Sequence, residues 1–291
     1  MVKNMWDRLL DVFLDACKDS LLTLPFLFGV YLLIEYIEHK GSDKMGGVLR
    51  KMGPFGSVGG AAIGCIPQCG FSAAASNLYA GRLITMGTLV AVYISTSDEA
   101  IPVILSEVAD SGKIWSLIPK LMIAKVIIAI VTGIIVDAVI KLFVKPKDEE
   151  PFKELCADCD CEHHGILHSA LHHTLHIIIF IFIINLLLGC VMEFAGEQTV
   201  EKLMMTNSWV QPLIAALIGF IPNCGASVVL TKLYIGGAVS FGALVAGLST
   251  GAGVGLVVLF KTNKKYKQNF IIMGILYVAA AASGIIIQMF K

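Results

Sequence analysis

The stretch Gly-Cys-Ile-Pro-Gln-Cys-Gly-Phe-Ser at residues 64–72 recurs as Gly-Phe-Ile-Pro-Asn-Cys-Gly-Ala-Ser at residues 219–227. The match continues at the same offset, from Leu-Tyr-Ala-Gly at 78–81 to Leu-Tyr-Ile-Gly at 233–236. A one-residue slip then aligns Ser-Thr at 95–96 with Ser-Thr at 249–250. Shared Pro, Cys, Gly and Tyr at fixed spacing indicate an internal repeat rather than two apolar stretches that happen to look alike. The sequence therefore predicts two related halves, each with one Ile-Pro-x-Cys-Gly motif.

Apolar blocks dominate the chain between these motifs. The 291 residues are 56% hydrophobic and 15% charged, whereas soluble proteins carry about 25% charged residues. Five blocks approach or exceed the roughly 20 residues that a membrane-spanning helix needs, at residues 20–37, 118–143, 175–192, 240–260 and 270–290. Lys+Arg and Asp+Glu are equal at 22 each, so the net charge gives no support for nucleic-acid binding. The composition predicts an all-α polytopic membrane protein in contact with membrane lipids.

The two motifs predict interrupted helices within the membrane. Pro removes a backbone donor and Gly loosens a helix, and the pieces at residues 56–66 and 71–80 are too short to cross a bilayer. We expect broken helices or helical hairpins whose tips lie near the midplane. Irregular backbone at that depth persists only beside protein or a water-filled cavity, so the motifs also indicate a binding site.

Counting the short pieces separately gives five segments in each half and an inverted second half, as in many secondary transporters. The alternative counts four spans in each half and a parallel repeat. The inverted arrangement places thirteen Lys and Arg residues on one side and seven on the other, and the positive-inside rule favours it. It puts the central loop in the cytoplasm and both termini outside, in the plasma or inner cell membrane. The predicted organisation is an N-terminal amphipathic segment at 1–18, a first membrane repeat at 19–145, a Cys/His-rich loop at 146–167 and a second repeat at 168–291.

The motif turns and the two Ser-Thr spans are predicted to line one substrate site. Helix ends can hold an anion at their N-termini and a cation at their carbonyl-rich C-termini. The candidate substrate-binding residues are Gln68, Cys69, Ser72, Asn223, Cys224, Ser227, Ser95, Thr96, Ser97, Ser249 and Thr250. The alternative interpretation treats the motifs as simple helix breaks with buried cysteines.

Asp98 and Glu99 follow the first Ser-Thr pair and precede Pro102. Acids inside a membrane are costly and usually functional, so these two are the candidates for cation binding or for coupling to a proton gradient. The alternative places them in a short surface loop. The second half has Gly-Ala-Gly at residues 251–253 instead, which predicts an asymmetric site.

The central loop is rich in soft and borderline metal ligands. The candidate metal ligands are Cys156, Cys159, Cys161, His163, His164 and His168. His168, His172 and His176 follow at helical spacing and should share one face. The spacing matches no fixed four-ligand zinc pattern, so a delivery or sensing site is favoured over a structural finger, with a solvated loop as the alternative. No cofactor is required beyond a transported or loop-bound metal ion.

The motif Cys-Ile-Pro-Gln-Cys-Gly-Phe-Ser, the segment Tyr-Ile-Ser-Thr-Ser-Asp-Glu-Ala-Ile-Pro and the second motif together resemble the ten-transmembrane heavy-metal exporter family, whose members are often labelled arsenic efflux proteins or manganese transporters. The resemblance covers nearly the whole chain and implies ten spans and export of a metal or metalloid ion. Manganese would suit the oxygen and nitrogen ligands of Asp98, Glu99, Gln68 and Asn223. Trivalent arsenicals would suit the thiols of Cys69 and Cys224.

The leading functional prediction is a secondary exporter of a divalent heavy metal or a metalloid, and not an enzyme. The sequence has no Gly-x-x-x-x-Gly-Lys-Ser/Thr phosphate loop, so a gradient or the membrane potential would have to drive export. Three alternatives stay open: a transporter of an organic or inorganic anion held at helix N-termini, an intramembrane enzyme, and a membrane metal sensor. The sequence also leaves open whether the chain forms a homo-oligomer.

Overall fold

A computed structural model describes residues 5–40, 54–65, 69–96, 100–101, 104, 114–143, 166–195, 209–222 and 224–290. Within these ranges the chain is helical and contains no strand. The helices are α1 (Met5–Lys40), α2 (Pro54–Gly64), α3 (Cys69–Ala80), α4 (Met86–Ser95), α5 (Ile114–Phe143), α6 (Ile166–Ala195), α7 (Gln211–Ile218), α8 (Cys224–Ile235), α9 (Phe241–Thr250), α10 (Val254–Thr262) and α11 (Tyr266–Met289).

Five stretches of the described chain are long and apolar enough to cross a membrane. They are Leu9–Leu33, Ser116–Leu142, Ala170–Leu187, Phe241–Thr262 and Tyr266–Met289. Each overlaps one of the five apolar blocks of the sequence, which confirms the prediction of an all-helical membrane protein. The fourth stretch is not one continuous helix, since it comprises α9 and α10 with a break between them.

The predicted N-terminal amphipathic segment at residues 1–18 lies, from Met5 onward, in the same helix as the first spanning stretch. α1 is a single helix of 36 residues and continues past residue 18 without interruption. The physical reason is that neither Gly nor Pro occurs between Met5 and Leu24, so nothing in this stretch stops the helix. Phe13 packs edge-on against Phe182 of α6, with ring centroids 5.8 Å apart, so the beginning of α1 already belongs to the bundle.

The two halves use the same local geometry after α3 and α8. Each helix is followed by a residue in the left-handed region, Arg82 with φ 62° and Gly237 with φ 78°. A hydroxyl then caps the next helix: Thr85 accepts the N–H three residues on at 3.1 Å, and Ser240 does the same at 3.2 Å. These turns fix where α4 and α9 begin, and both occur at the sequence offset of the two motifs.

Glycine pairs bring the next helices into close contact. A side-chain Cβ on Gly133 of α5 would lie 2.8 Å from the carbonyl oxygen of Gly87 on α4. A Cβ on Gly284 of α11 would lie 2.6 Å from the carbonyl oxygen of Gly242 on α9. Small residues let membrane helices approach to backbone contact, so α4 packs on α5 and α9 packs on α11 through matched crossings.

The centre of the molecule is formed by α4 and α9, which contact each other. Every residue from Gly87 to Ser95 and from Gly242 to Thr250 is buried. The halves also exchange contacts around this centre, because α3 packs on α10 of the second half. Ala100 and Ile104 of the first half join the apolar cluster that contains Leu230 of α8. Each half therefore buries part of the other.

Candidate substrate site

The two Ile-Pro-x-Cys-Gly motifs separate short helices. α2 ends at Gly64 and α3 begins at Cys69, while α7 ends at Ile218 and α8 begins at Cys224. The four helices contain 11, 12, 8 and 12 residues. At about 1.5 Å per residue, none reaches the roughly 30 Å of a hydrocarbon core. Each motif therefore stands between two helices that are both too short to cross a bilayer.

The ends of α4 and α9 pack against the glycine that begins each motif. Ser95 contacts Gly64 so closely that a Cβ there would overlap its hydroxyl, and Thr250 contacts Gly219 in the same way. The structure thus pairs Ser95 with Thr250, whereas the sequence alignment with a one-residue slip pairs it with Ser249. The two helices align without a slip, because equivalent residues of α4 and α9, up to Ser95 and Thr250, are separated by the same number of residues as the two motifs.

The hydroxyl groups at these helix ends have different partners. Thr250 Oγ1 donates to Ala216 O on α7 at 2.7 Å, and Thr96 Oγ1 donates to Val92 O at 2.7 Å. Ser249 is fully buried, yet its Oγ has no hydrogen-bond partner among the described residues. Buried hydroxyls are usually hydrogen-bonded, so Ser249 brings unused bonding capacity to the centre of the bundle.

Lys125 joins the C-terminal ends of the two central helices. It lies on α5 and is fully buried. Its Nζ donates to Thr96 O, at the end of α4, and to Leu248 O of α9 at 2.8 Å. The carbonyl end of a helix carries partial negative charge, so one ammonium group stabilises a helix end from each half.

Asp137 performs the opposite role at the start of α4. Its carboxylate accepts hydrogen bonds from Gly87 N at 2.9 Å, Thr85 Oγ1 at 2.8 Å and Ser57 Oγ at 3.3 Å. The start of a helix carries partial positive charge. α5 therefore presents an acid to the N-terminal end of α4 and a lysine to its C-terminal end, each with the sign that the helix dipole favours.

These two charges occur only in the first half. Lys125 stands eight residues before Gly133, the crossing glycine of α5. On α11, the residue eight positions before the crossing glycine Gly284 is Leu276. Asp137 stands four residues after Gly133, and the residue four positions after Gly284 is Gln288. Leu276 is fully buried, like Lys125. An apolar side chain thus occupies the place in the second half that the ammonium group takes in the first.

Ser72 is placed on α3 where this helix meets the start of α10. A Cβ on Gly255 would lie 2.8 Å from the Ser72 Cβ. One turn along α3, Ser76 Oγ lies 2.7 Å from both Gly255 O and Tyr93 Oη, and Tyr93 donates to Gly255 O at 3.1 Å. Two hydroxyls from the first half thus bind a carbonyl oxygen in the first turn of α10.

Ser227 lies on the other side of the break between α9 and α10. This half-buried residue of α8 has its Oγ 3.5 Å from the position of a Cβ on Gly251. The break ends at Gly253, whose φ of 53° is a conformation that glycine adopts without steric cost. The structure therefore brings Ser72 and Ser227 to the two sides of one interruption, between residues 251 and 255.

Several candidate residues fall outside the described part of the chain. These are Gln68, Ser97, Asp98, Glu99, Asn223, Cys156, Cys159, Cys161, His163 and His164, together with the side chains of Cys69 and Cys224. His168 is described and is exposed on α6, as are His172 and His176 on the same helix. In the described ranges, no three His, Cys, Asp or Glu side chains are grouped so that they could hold a metal ion.

The sequence analysis missed Lys125 and Asp137 as site-forming residues. The available signal was that charged side chains in a membrane span are functional by default. Lys125 binds backbone carbonyl oxygens, which leave no signature in the sequence, while Asp137 binds one backbone amide and two side-chain hydroxyls. Only the folded arrangement of α4, α5 and α9 shows why an apolar helix carries these two charges.

A family described as "Putative, 10TM heavy-metal exporter" matches residues 8–203 and 191–291. The chain belongs to this family. The match extends from α1 to the end of the chain and confirms the resemblance of the two motifs and the Ser-Thr-Ser-Asp-Glu segment. The family is one of multi-span membrane exporters and not of enzymes. No curated protein and no solved structure gives a match to the chain.

Proposed function

We propose that this exporter is a secondary transporter that moves a divalent heavy metal such as manganese, or a metalloid, out of the cell by alternating access. The observation that carries the proposal is the convergence of two helix C-termini, one from each half, on buried Lys125. Ser249, whose hydroxyl has no hydrogen-bond partner within the described part of the chain, directly follows Leu248. Oxygen-rich helix ends near an interruption of the membrane helices are typical of ion sites in transporters.

The proposed mechanism uses two inverted repeats that rock against each other. Its support is the recurrence of the same turn, the same hydroxyl cap and the same glycine crossing in both halves. The short helices on either side of the motifs supply the interrupted segments that the five-plus-five arrangement needs. The exchange of contacts between α3 and α10 provides the interface at which one half would move.

The substrate is proposed to bind between the two motif turns. Ser72, Ser227, Ser95, Thr250 and Ser249 would contribute hydroxyl or carbonyl oxygens, joined by Gln68 and Asn223, and such ligands suit manganese. Cys69 and Cys224 would contribute thiolates, which suit a metalloid.

Asp98 and Glu99 are proposed as the cation-binding or coupling acids. They follow Thr96 by two and three residues, and Thr96 O accepts a hydrogen bond from the Lys125 ammonium group. A fixed positive charge repels a metal cation, so a cation site at this point needs carboxylates to compensate for the lysine. Both acids lie in the same half of the chain as the lysine. The need for compensating negative charge is the physical reason for proposing them as cation ligands.

The Cys/His-rich loop is proposed to deliver or sense the metal rather than to transport it. Its candidate ligands are Cys156, Cys159, Cys161, His163, His164 and His168. Deletion of residues 154–165 should leave export by an overexpressed protein largely intact and should weaken its response to low metal concentration. Complete loss of export in a correctly inserted deletion variant would show that the loop belongs to the transport path.

The test of the proposal is the metal content of cells that express the protein under graded stress with manganese, zinc or arsenite. Glu99→Gln should reduce export at least tenfold, while Asp15→Asn, which removes an exposed acid of α1, should match the parent. Cys69→Ser should abolish export of arsenite only, with Cys190→Ser on α6 as the control thiol. Unchanged export by both site variants, at parental membrane levels, would refute the site assignment.

A second candidate function is transport of an anion, and the buried positive charge of Lys125 favours it. The helices α3 and α8, which begin at Cys69 and Cys224, would direct N–H groups at such a substrate. Anion flux into vesicles reconstituted in the complete absence of divalent metal would support this function over the first. Metal flux without anion flux would exclude it.

A further inference from the structure

A groove of about 430 Å³ lies between α6, α10 and α11. α10 contacts both of the other helices and forms its floor. Seven of its eight lining residues are apolar, and the eighth is a lysine. They are Phe180, Phe220, Pro222, Leu256, Val257, Phe260, Met273 and Lys261.

Lys261 is held at one end of this groove. It lies in the last turn of α10. Its Nζ sits 4.0 Å from the centroid of the Phe180 ring and donates to His176 O on α6 at 3.4 Å. The face of an aromatic ring and a backbone carbonyl both attract an ammonium group. These contacts keep the charge of Lys261 above the apolar lining.

The residues that follow Lys261 indicate that this end of the groove faces the membrane surface. Lys264, Lys265 and Lys267 occur within the next six positions. Tyr266 and Phe270 at the start of α11 are exposed, and Phe270 packs edge-on against Phe260 at 5.4 Å. Aromatic side chains and lysines mark the boundary between headgroups and acyl chains.

We propose that this groove binds an anionic phospholipid, with one acyl chain between α6 and α11 and the headgroup phosphate against Lys261. The apolar lining matches an acyl chain, and the ammonium group of Lys261, the charged residue of the lining, matches a negative headgroup rather than a zwitterionic one. Phe220 and Pro222 of the second motif also line the groove. The bound acyl chain would therefore contact the second motif, just before α8, without taking part in substrate binding.

Native mass spectrometry of the purified, full-length protein tests the proposal. Phosphatidylglycerol and phosphatidylcholine with identical acyl chains are titrated in parallel. The parent should retain phosphatidylglycerol about fivefold better, which is the factor expected from one lysine beside an anionic surface. Lys261→Gln should remove this preference. Lys141→Gln, in the last turn of α5, is the matched control and should keep it.

A second variant tests the acyl-chain part of the groove. Val257→Trp fills the floor without changing any charge, and should reduce retention of both lipids. Equal retention of the two lipids by the parent, or a preference that survives Lys261→Gln, would overturn the proposal. Unchanged binding by a folded Val257→Trp variant would also overturn it, because the chain would then lie elsewhere.

Discussion

Lys125 places an ammonium group in the most deeply buried part of the bundle. Removing such a charge from water costs several kcal/mol, and only good hydrogen-bond geometry offsets that cost. Two backbone carbonyls at helix C-termini supply this geometry, since their partial charge has the right sign and their positions are fixed by α4 and α9. A lysine that only filled space here would be less favourable than a leucine, as the fully buried Leu276 illustrates.

This comparison gives the first prediction. Lys125→Met should still fold and insert, because the related position of the second half accepts an apolar side chain. Its export rate should fall at least tenfold, because the ends of α4 and α9 lose their shared partner. The measurement is metal export per inserted protein, with thermal unfolding in detergent recorded in parallel.

Lys120→Met is the control for this variant, since Lys120 is exposed and lies five residues earlier on α5. It should behave like the parent in both assays. Equal export by the Lys125 and Lys120 variants would mean that the buried ammonium serves the fold alone.

The second prediction concerns Asp137, which accepts two hydrogen bonds at the start of α4 and a third from Ser57 of α2. Asp137→Asn removes the charge that the helix start attracts and turns one accepting oxygen into a donor. We expect the free energy of unfolding to fall by about 2 kcal/mol, in the range for hydrogen bonds to charged groups plus the dipole contribution. Asp15→Asn on the exposed face of α1 should change it by less than about 0.5 kcal/mol. Equal stability of the two variants would contradict the capping role.

Among the helical elements, the glycine crossings depend most directly on the absence of a side chain. Gly133→Ala would place a methyl group 2.8 Å from both Gly87 O and Ser57 Cβ, well inside normal carbon contact distance. We predict a loss of about 1–3 kcal/mol from overpacking. Gly274→Ala on α11 meets nothing within 4 Å and should instead gain up to about 1 kcal/mol of helix propensity. Opposite signs in thermal unfolding would confirm the crossing, and a gain in both variants would refute it.

The elements themselves were largely predictable. Apolar length predicts the spanning helices, because the signal is local, and each of the five spans of the structure overlaps an apolar block of the sequence. The continuity of α1 past residue 18 follows from the lack of a helix breaker between Met5 and Leu24. The break between α9 and α10 is also local, since Gly251 and Gly253 stand there, but a hydropathy window averages across it.

The site was predictable only in part. Ser72 and Ser227 were identified from the motifs, and the structure brings both to the break before α10. Their arrangement across the two halves could not be read from the sequence, because it depends on the packing of α3 on α10. Lys125 shows the limit most clearly, since its partners are carbonyl oxygens that every residue possesses.

At the scale of the whole molecule, the inverted arrangement predicts a specific topology. A fluorescent protein inserted in the central loop after residue 150 should fold in the cytoplasm and fluoresce. The same protein fused after Lys291 should be dark, while alkaline phosphatase fused there should be active. The reporters respond to the compartment because disulfide formation and chromophore maturation differ between the two sides. A fluorescent C-terminal fusion would favour the parallel repeat.

Lys125 occurs in the first half only, with Leu276 at the related position of the second half, and this difference would affect the energetics of an alternating-access carrier. Two identical inverted halves would make the inward-open and outward-open conformations equal in free energy, so that an empty carrier would divide its time evenly between them. In the proposed mechanism, Lys125 and Leu276 would break that degeneracy, because an ammonium group that binds the helix ends in one conformation would have no equivalent in the other. A difference of only about 1.4 kcal/mol would shift the resting populations to ten to one. The direction in which the empty carrier faces would then be set by one residue.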